Sequence, residues 1–476
     1  MVKGLVGLSL ISLLLGGSAE GALLQVRGAV HLHTTFSSGI LSPEELVEEA
    51  RRQKLGALIL ADSFLLRFEY GVLPFRNLVR RVVEKPSVHR LGHKGWLEAV
   101  EAAQAGVPGV IVIPGVEVMP YYYWTGSLMR GDLTLRDVQK NLLVVGLSRP
   151  EHYAELPAIG NGGLFQPSPM GLVGIALALV TMGGGLLLLR ARRRGIRLAG
   201  WATLGLGLLA LLDAVTASRL NPYRGNLGIE PYQRLIEYAE ARGGAAFWSF
   251  PEARDFQKIG WGRLGTVTLR TEPYPEALLQ SQGYTGFGAV YQDNVTLTEP
   301  GEQWDRLLSE YARGQRSRPV WGIGELGYHG PPKSLGDVLT VFLVPELSRA
   351  AILSALKAGR FYAVQPPPDY SLVLEEFSIG QENGNGWTPM GGELLAETRG
   401  PLLIRLGVSA SDGREVPFTL RLIRSGRLLS LLRERTPFEA VLQTDPPERG
   451  TGEFLRVEIT EPHRLLANPI FVRRRT

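Results

Sequence analysis

"GAVHLHTTFSSG", residues 28–39, is a short apolar strand that carries two histidines one residue apart and runs straight into a polar turn. Residues i and i+2 of a strand point to the same side, so His31 and His33 can converge on one ion at the carboxyl end of that strand. Imidazole nitrogen suits zinc, manganese or iron, and a carboxylate from another strand end is the expected third ligand. "VIVIPGVEV" (110–118) offers Glu117 after a hydrophobic strand and a Pro-Gly turn, and "GYHG" (327–330) offers His329 after another strand. A His-x-His pair by itself is equally compatible with two hydrogen-bonded side chains. The two further donors at strand ends shift the reading towards a metal site.

Outward from that strand the chain alternates. Helix 43–54, started by Ser42 as N-cap with Pro43 and Glu45 behind it, leads to "ALILA" (57–61), then to helices near 75–85 and 94–105 and to "NLLVVGL" (141–147). The alternation resumes with helix 230–242, "AAFWSF" (245–250), "FGAVYQ" (287–292), helix 302–313, "PVWGIGE" (319–325) and helix 348–359. Repeated strand–helix units predict an α/β domain with a largely parallel sheet, and about seven such strands suit a barrel.

Two runs interrupt it. Residues 170–189 and 198–217 are almost wholly apolar, each about the 20 residues needed to cross hydrocarbon, with Asp213 as the one charge. Their glycines would permit close helix–helix approach in lipid. "RARRRGIR" (190–197) between them predicts a cytoplasmic loop, because positive residues in short loops stay inside. The start, with Lys3, an uncharged run from Gly4 to Gly17 and then "SAEGA", fits a signal peptide or N-terminal anchor over 1–22. Together these predict a multi-pass membrane protein with its large parts on the periplasmic or extracellular side. The five arginines of the loop match the whole formal net charge of +5, so electrostatics give no reason to expect nucleic-acid binding. The chain has no cysteine, which excludes disulfides, thiolate metal sites and cysteine nucleophiles.

After "QPPPDY" (365–370) short alternating segments such as "PLLIRLGVSA" and "FLRVEIT" replace the helices, which predicts a β-sandwich over 369–476. The expected plan is a barrel in two parts, 23–165 and 221–368, split by a helical hairpin at 166–220.

"VHLHTTFSSGILSPEELVEEARRQKLGALILAD", "IPGVEV" and "LSRAAILSALKAGRFYAV" resemble the polymerase and histidinol phosphatase (PHP) family. The resemblance implies a distorted seven-stranded β/α barrel with a metal cluster at its mouth, commonly of three ions, and phosphoester hydrolysis. His31 and His33 match the family's opening pair, Glu117 its bridging glutamate, Asp62 the aspartate of its Thr-Asp-His motif and His329 the histidine of its closing motif. Other positions depart from the pattern. Ser38, Ser63, Leu143, Phe250 and Gly327 stand where the family has ligands, and neither Leu nor Phe has a lone pair to donate. Three ions therefore cannot be held. One divalent ion or none is expected, with His31, His33, Glu117 and His329 as metal ligands, Asp62 and His329 as catalytic groups, and Glu325 as a replacement for the lost aspartate.

Two functions follow. The first is a degenerate barrel that binds a ligand or an envelope partner without turnover; its alternative is a membrane-anchored phosphoesterase working on a phosphorylated small molecule with a reduced site. The lipid bilayer is a partner in both. The aromatic run Tyr121–Trp124 is expected either to line the barrel mouth or to lie on the membrane surface, and His89 and His93 are read as an exposed pair.

Overall fold

The computed structural model describes residues 23–161, 169–217, 220–262, 265–293, 295–381, 386–396 and 400–474. The expected signal or anchor at 1–22 lies outside the described residues. The first helix, Pro43–Arg52, forms where local chemistry dictates. Ser42 accepts from Glu45 N, Glu45 accepts from Ser42 N, and Leu46, Val47 and Ala50 turn inward.

The body is mixed α/β. Leu24–Leu32 pairs in parallel with Ala57–Leu60, which pairs in parallel with Ile111–Ile113. Their continuations Asp62–Ser63 and Gly115–Val118 belong to a second sheet, which runs on through Leu142–Val145, Ala245–Trp248, Gly286–Val290 and Trp321–Gly324. Leu142–Val145 is antiparallel to both neighbours, so the parallel pattern is broken once. The predicted barrel is not one closed sheet. Pro114, which has no N–H to donate, stands between Ile111–Ile113 and Gly115–Val118, and a bulge at His31 interrupts the first strand. A single parallel bridge, Leu32↔Tyr328, links the first strand to the chain beyond Trp321–Gly324.

On its other side Leu24–Leu32 pairs with Leu339–Val344, then Phe361–Val364, then the tail strands Leu465–Ala467, Gly452–Glu461 and Ile470–Arg474. The tail strands therefore extend the body's sheet, and a four-stranded antiparallel sheet that includes Leu372–Gln381 and Leu402–Ala410 completes the C-terminal part.

A second, smaller core gathers Tyr121, Tyr122, Trp124, Leu135, Trp261 and Val267. It is built on a four-stranded sheet (Tyr123–Thr125, Thr134–Arg136, Asp255–Gly260, Thr266–Thr271) and flanked by the hairpin Arg67–Gly71/Arg80–Glu84. Part of that hairpin falls where the sequence suggested a helix near 75–85. "RRVVE" places β-branched residues side by side, and they pair with "RFEYG" across the turn.

Pro169–Leu189 and Arg194–Thr216 are two helices long and apolar enough to cross a membrane. They pack on each other through glycine: a Cβ at Gly185 would lie 2.7 Å from the Leu204 backbone nitrogen. Their outer faces are bare hydrocarbon, with Val180 73% and Leu198 71% exposed. A surface of that kind is stable against lipid and costly against water.

Candidate metal centre

His31 sits at the bulge, between register partners Val30 and Leu32, with a left-handed φ of 71°. Regular strand alternation therefore does not aim the two imidazoles; the bulge does. Such a backbone costs on the order of 1–3 kcal/mol and persists only where the surroundings enforce it. The enforcement is visible in the hydrogen bonds. Tyr328 N donates to His31 O and His33 N donates to Tyr328 O, both at 2.9 Å.

Each imidazole is fixed through its Nδ1. His31 Nδ1 lies 2.7 Å from Glu325 Oε1, so His31 donates from Nδ1 and turns its Nε2 towards the site. Glu325 is fully buried and also accepts from Ser249 Oγ (2.6 Å) and Phe250 N (3.0 Å). Gly288 leaves the room it needs, because a Cβ there would collide with Glu325 Oε2. His33 Nδ1 lies 3.1 Å from Ser37 Oγ, which donates to Asp62 Oδ1 at 2.7 Å. Asp62 also accepts from Thr34 N, Thr34 Oγ1 and Trp96 Nε1. Its carboxylate is spent on shaping the 34–37 turn, and it acts on the site through His33.

The two Nε2 atoms then face each other at 3.1 Å. Glu117 completes the group, with Oε1 3.6 Å from His31 Nε2 and Oε2 3.8 Å from His33 Nε2. Asn141 Nδ2 steadies it by donating to Glu117 Oε1 at 2.7 Å. Two imidazole nitrogens and a carboxylate converging this closely suit a shared proton or a metal cation between them. The donor atoms of His31, His33 and Glu117 all lie within 4.8 Å of one another. Nitrogen ligands 2.0–2.1 Å from a tetrahedral ion sit about 3.3 Å apart, so the spacing fits one divalent ion.

The same electrostatics show in the protonation of the pair. Burial opposes charge on His31, but the Glu117 and Glu325 carboxylates outweigh it and hold its pKa above the ordinary 6.5. Burial, with His31 and His329 alongside, pushes His33 well below that value. One proton serves the pair in the absence of metal, and an arriving ion must displace it. Metal affinity is therefore expected to rise with pH, by roughly tenfold per unit while His31 remains protonated, and to level off above its raised pKa. Calorimetric titration of one divalent metal at a series of pH values from below to above 6.5 checks this; an affinity independent of pH contradicts it.

His329 stands apart from the three. Its ring stacks on His33 (centroids 4.1 Å, 10° between planes) and its Nδ1 meets Ser38 Oγ at 2.9 Å. Burial and the charges of His31 and Lys333 bring its pKa down to about 4, so it is neutral at physiological pH. Phe250 stacks on His31 (5.1 Å), and a Cβ at Gly327 would lie 2.9 Å from the Phe250 ring. The phenyl ring and the missing side chain are thus one arrangement: with Phe250 in place there is no room for a ligand at 327. Leu143 is fully buried beside Glu117 in the strand register.

No protein-family model matches the chain, and no curated protein matches it. Among solved structures it is similar to a two-domain protein containing a predicted PHP-like metal-dependent phosphoesterase from Bacteroides vulgatus (14% identity, 94% of this chain and 95% of that one, TM-score 0.37). A candidate metal-dependent phosphoesterase from Bifidobacterium adolescentis is similar at 18% identity (64% and 88% covered, TM-score 0.28). An amidohydrolase from Chromobacterium violaceum, with bound sulfate and no metal, is similar at 15% identity (72% and 98% covered, TM-score 0.29).

The three converging residues open, with His329, onto a cavity of about 740 Å³ that also takes in Ser38, Ser63, Lys85 and Lys333. Sequence reasoning missed Ser37, Ser249 and Asn141, which orient the donors. The Tyr121–Trp124 run serves neither expected purpose. Tyr122 accepts from Glu69 N, Trp124 Nε1 donates to Glu69 O, and Tyr121 donates to the carbonyls of Asn221 and Gly225, so the run holds the smaller core together. His89 and His93 are partly buried, packed around Phe64 with ring centroids 5.8 and 5.9 Å from it.

Proposed function

We propose that the chain is a membrane-anchored, metal-dependent phosphoesterase of the PHP type, working with a reduced, single-ion site. The observation that carries this reading is the pair of Nε2 atoms 3.1 Å apart, each imidazole held by its own acceptor on the far side. A barrel kept only for binding has no need of two complete supporting shells. Such shells are the hallmark of working metal sites, where the partner of the second ring nitrogen fixes orientation and basicity. The reading takes the seven strands around the site as a distorted barrel with an interrupted ladder. It places the arginine loop in the cytoplasm and the large parts on the periplasmic or extracellular side.

A divalent ion held by His31, His33 and Glu117 would polarise a phosphoryl oxygen and lower the pKa of water in the pocket. The protein's own groups do the rest. Lys333 and Lys85 bring positive charge to the cavity, where a phosphoester brings negative charge. His329, neutral and facing the cavity, accepts the proton of the attacking water and delivers it to the leaving oxygen. Water's oxygen joins phosphorus, the P–O ester bond breaks, and the departing alkoxide leaves as an alcohol. Glu325, Asp62 and Asn141 are positioning residues.

Assays with bis(p-nitrophenyl) phosphate and p-nitrophenyl phosphate test the reading on full-length protein. Metal-dependent turnover is expected, with kcat reduced roughly 10²–10⁴-fold in His329→Ala while metal content is retained. Loss of the metal together with the activity in that variant would instead make His329 a ligand. Stoichiometric metal without turnover of either ester would favour the binding protein.

A further inference from the structure

We infer that the substrate of this site is a membrane lipid phosphoester, its headgroup at the histidines and its apolar chain in the cavity beside them. The inference rests on the phosphoesterase reading for the headgroup; the chain site stands on separate observations. The cavity lining is largely apolar beyond the donors: Leu65, Phe68, Val83, Leu135, Trp261 and Leu269 make up much of it, with Lys85, Gln139 and Gln257 among them. A small water-soluble phosphoester would leave this apolar lining facing water, whereas a hydrocarbon chain would cover it.

The source of that chain is indicated by the hairpin Arg67–Gly71/Arg80–Glu84. Its base contributes Phe68 and Val83 to the cavity, and its tip is fastened to the second apolar helix. Asn77 N and Leu78 N donate to Asp213 Oδ1 at 2.7 and 3.2 Å, and Asn77 Nδ2 donates to Asp213 Oδ2 at 3.0 Å. Asp213 lies in the last turn of Arg194–Thr216, where a spanning helix meets the headgroup region. Around the same tip Val72, Leu73 and Val79 are 51%, 69% and 58% exposed, and Val72 N donates to Val79 O. Exposed apolar side chains at the depth where a spanning helix ends belong in the membrane interface. One element thus touches the bilayer surface at its tip and walls the cavity at its base.

The test uses the full chain, stabilised in amphipol and stripped of metal, titrated with butyl, octyl and dodecyl phosphate. Affinity is expected to rise about fourfold per added methylene until the cavity is full. A bromine at the chain end is expected to quench fluorescence that Trp261→Phe removes. Leu269→Trp or Val83→Trp, each checked for an unchanged unfolding transition, should pull the octyl affinity down to near the butyl value. A flat series, quenching indifferent to Trp261→Phe, or equal affinity for alkyl alcohols overturns the inference. In liposomes, a phospholipid with a diazirine at its chain end should label cavity peptides, and labelling confined to the two apolar helices overturns it as well. The two readings fail separately. Metal-dependent hydrolysis of bis(p-nitrophenyl) phosphate with a flat chain-length series removes the lipid and keeps the enzyme; a steep, phosphate-selective series without hydrolysis does the reverse.

Discussion

Alanine at both His31 and His33 is expected to abolish stoichiometric binding of a divalent metal and leave the fold standing. The argument is one of donors. With both imidazoles gone, Glu117 is the last of the three converging groups, and a lone carboxylate does not hold zinc, manganese or iron against water. The loss should exceed the roughly 10–100-fold that Glu325→Gln costs through loosened orientation of His31. Metal analysis and calorimetry of the double variant beside wild type measure this, with the unfolding transition as control. Retained stoichiometric metal would move the centre elsewhere in the chain.

Arg456→Ala should cause the largest loss of stability, about 3–5 kcal/mol. Arg456 is fully buried and holds Asp305 with two hydrogen bonds (2.7 and 3.0 Å), Glu458 with a third (3.1 Å) and Thr298 O with a fourth (2.9 Å). It joins the tail strand Gly452–Glu461 to the helix Gln303–Ala312 of the body. Truncation leaves the Asp305 carboxylate buried without its cation, whereas Glu458 keeps Arg421 at 3.1 Å. Removing the charge on both sides, in R456M/D305L, should therefore recover most of the loss, because an apolar pair of similar volume needs no desolvation. Denaturant unfolding of the three proteins checks the order; a single variant as stable as wild type would contradict it.

The parts of this architecture that sequence exposed are those set by neighbours along the chain. Ser42 and Glu45 cap each other across three residues, so the start of the first helix was legible, and the apolar runs at 170–189 and 198–217 needed only length and composition. The hairpin at 67–84 was not, because its second strand falls where the pattern suggested a helix, and the four-stranded sheet beside it was not, because it joins strands far apart in the chain. Thr266–Thr271, for example, pairs with Thr134–Arg136. The distorted barrel expected from the sequence does not stand as one closed sheet, and the breaks lie at details that act locally but show only in three dimensions, the missing N–H of Pro114 and the bulge at His31.

The site divides in the same way. His31, His33 and Glu117 were legible because their residue types are distinctive and each lies at or near a strand end. Ser37, Ser249 and Asn141 were not, since serine and asparagine are common and their roles come from what they touch. Asp62 stands in the expected motif but plays a different part, since four donors surround it and its influence reaches the ion only through Ser37 and His33. The substitution of phenylalanine at 250 and glycine at 327 reads as two losses in sequence and as one packed contact in space.

The most direct test is the crystal structure of the metal-soaked protein with anomalous scattering recorded at the edge of that metal. The account predicts a single peak about 2.0–2.2 Å from His31 Nε2, His33 Nε2 and a Glu117 oxygen, with Glu325 still on His31 Nδ1. A peak between His89 and His93, or none while His31 and His33 share a proton, would contradict it.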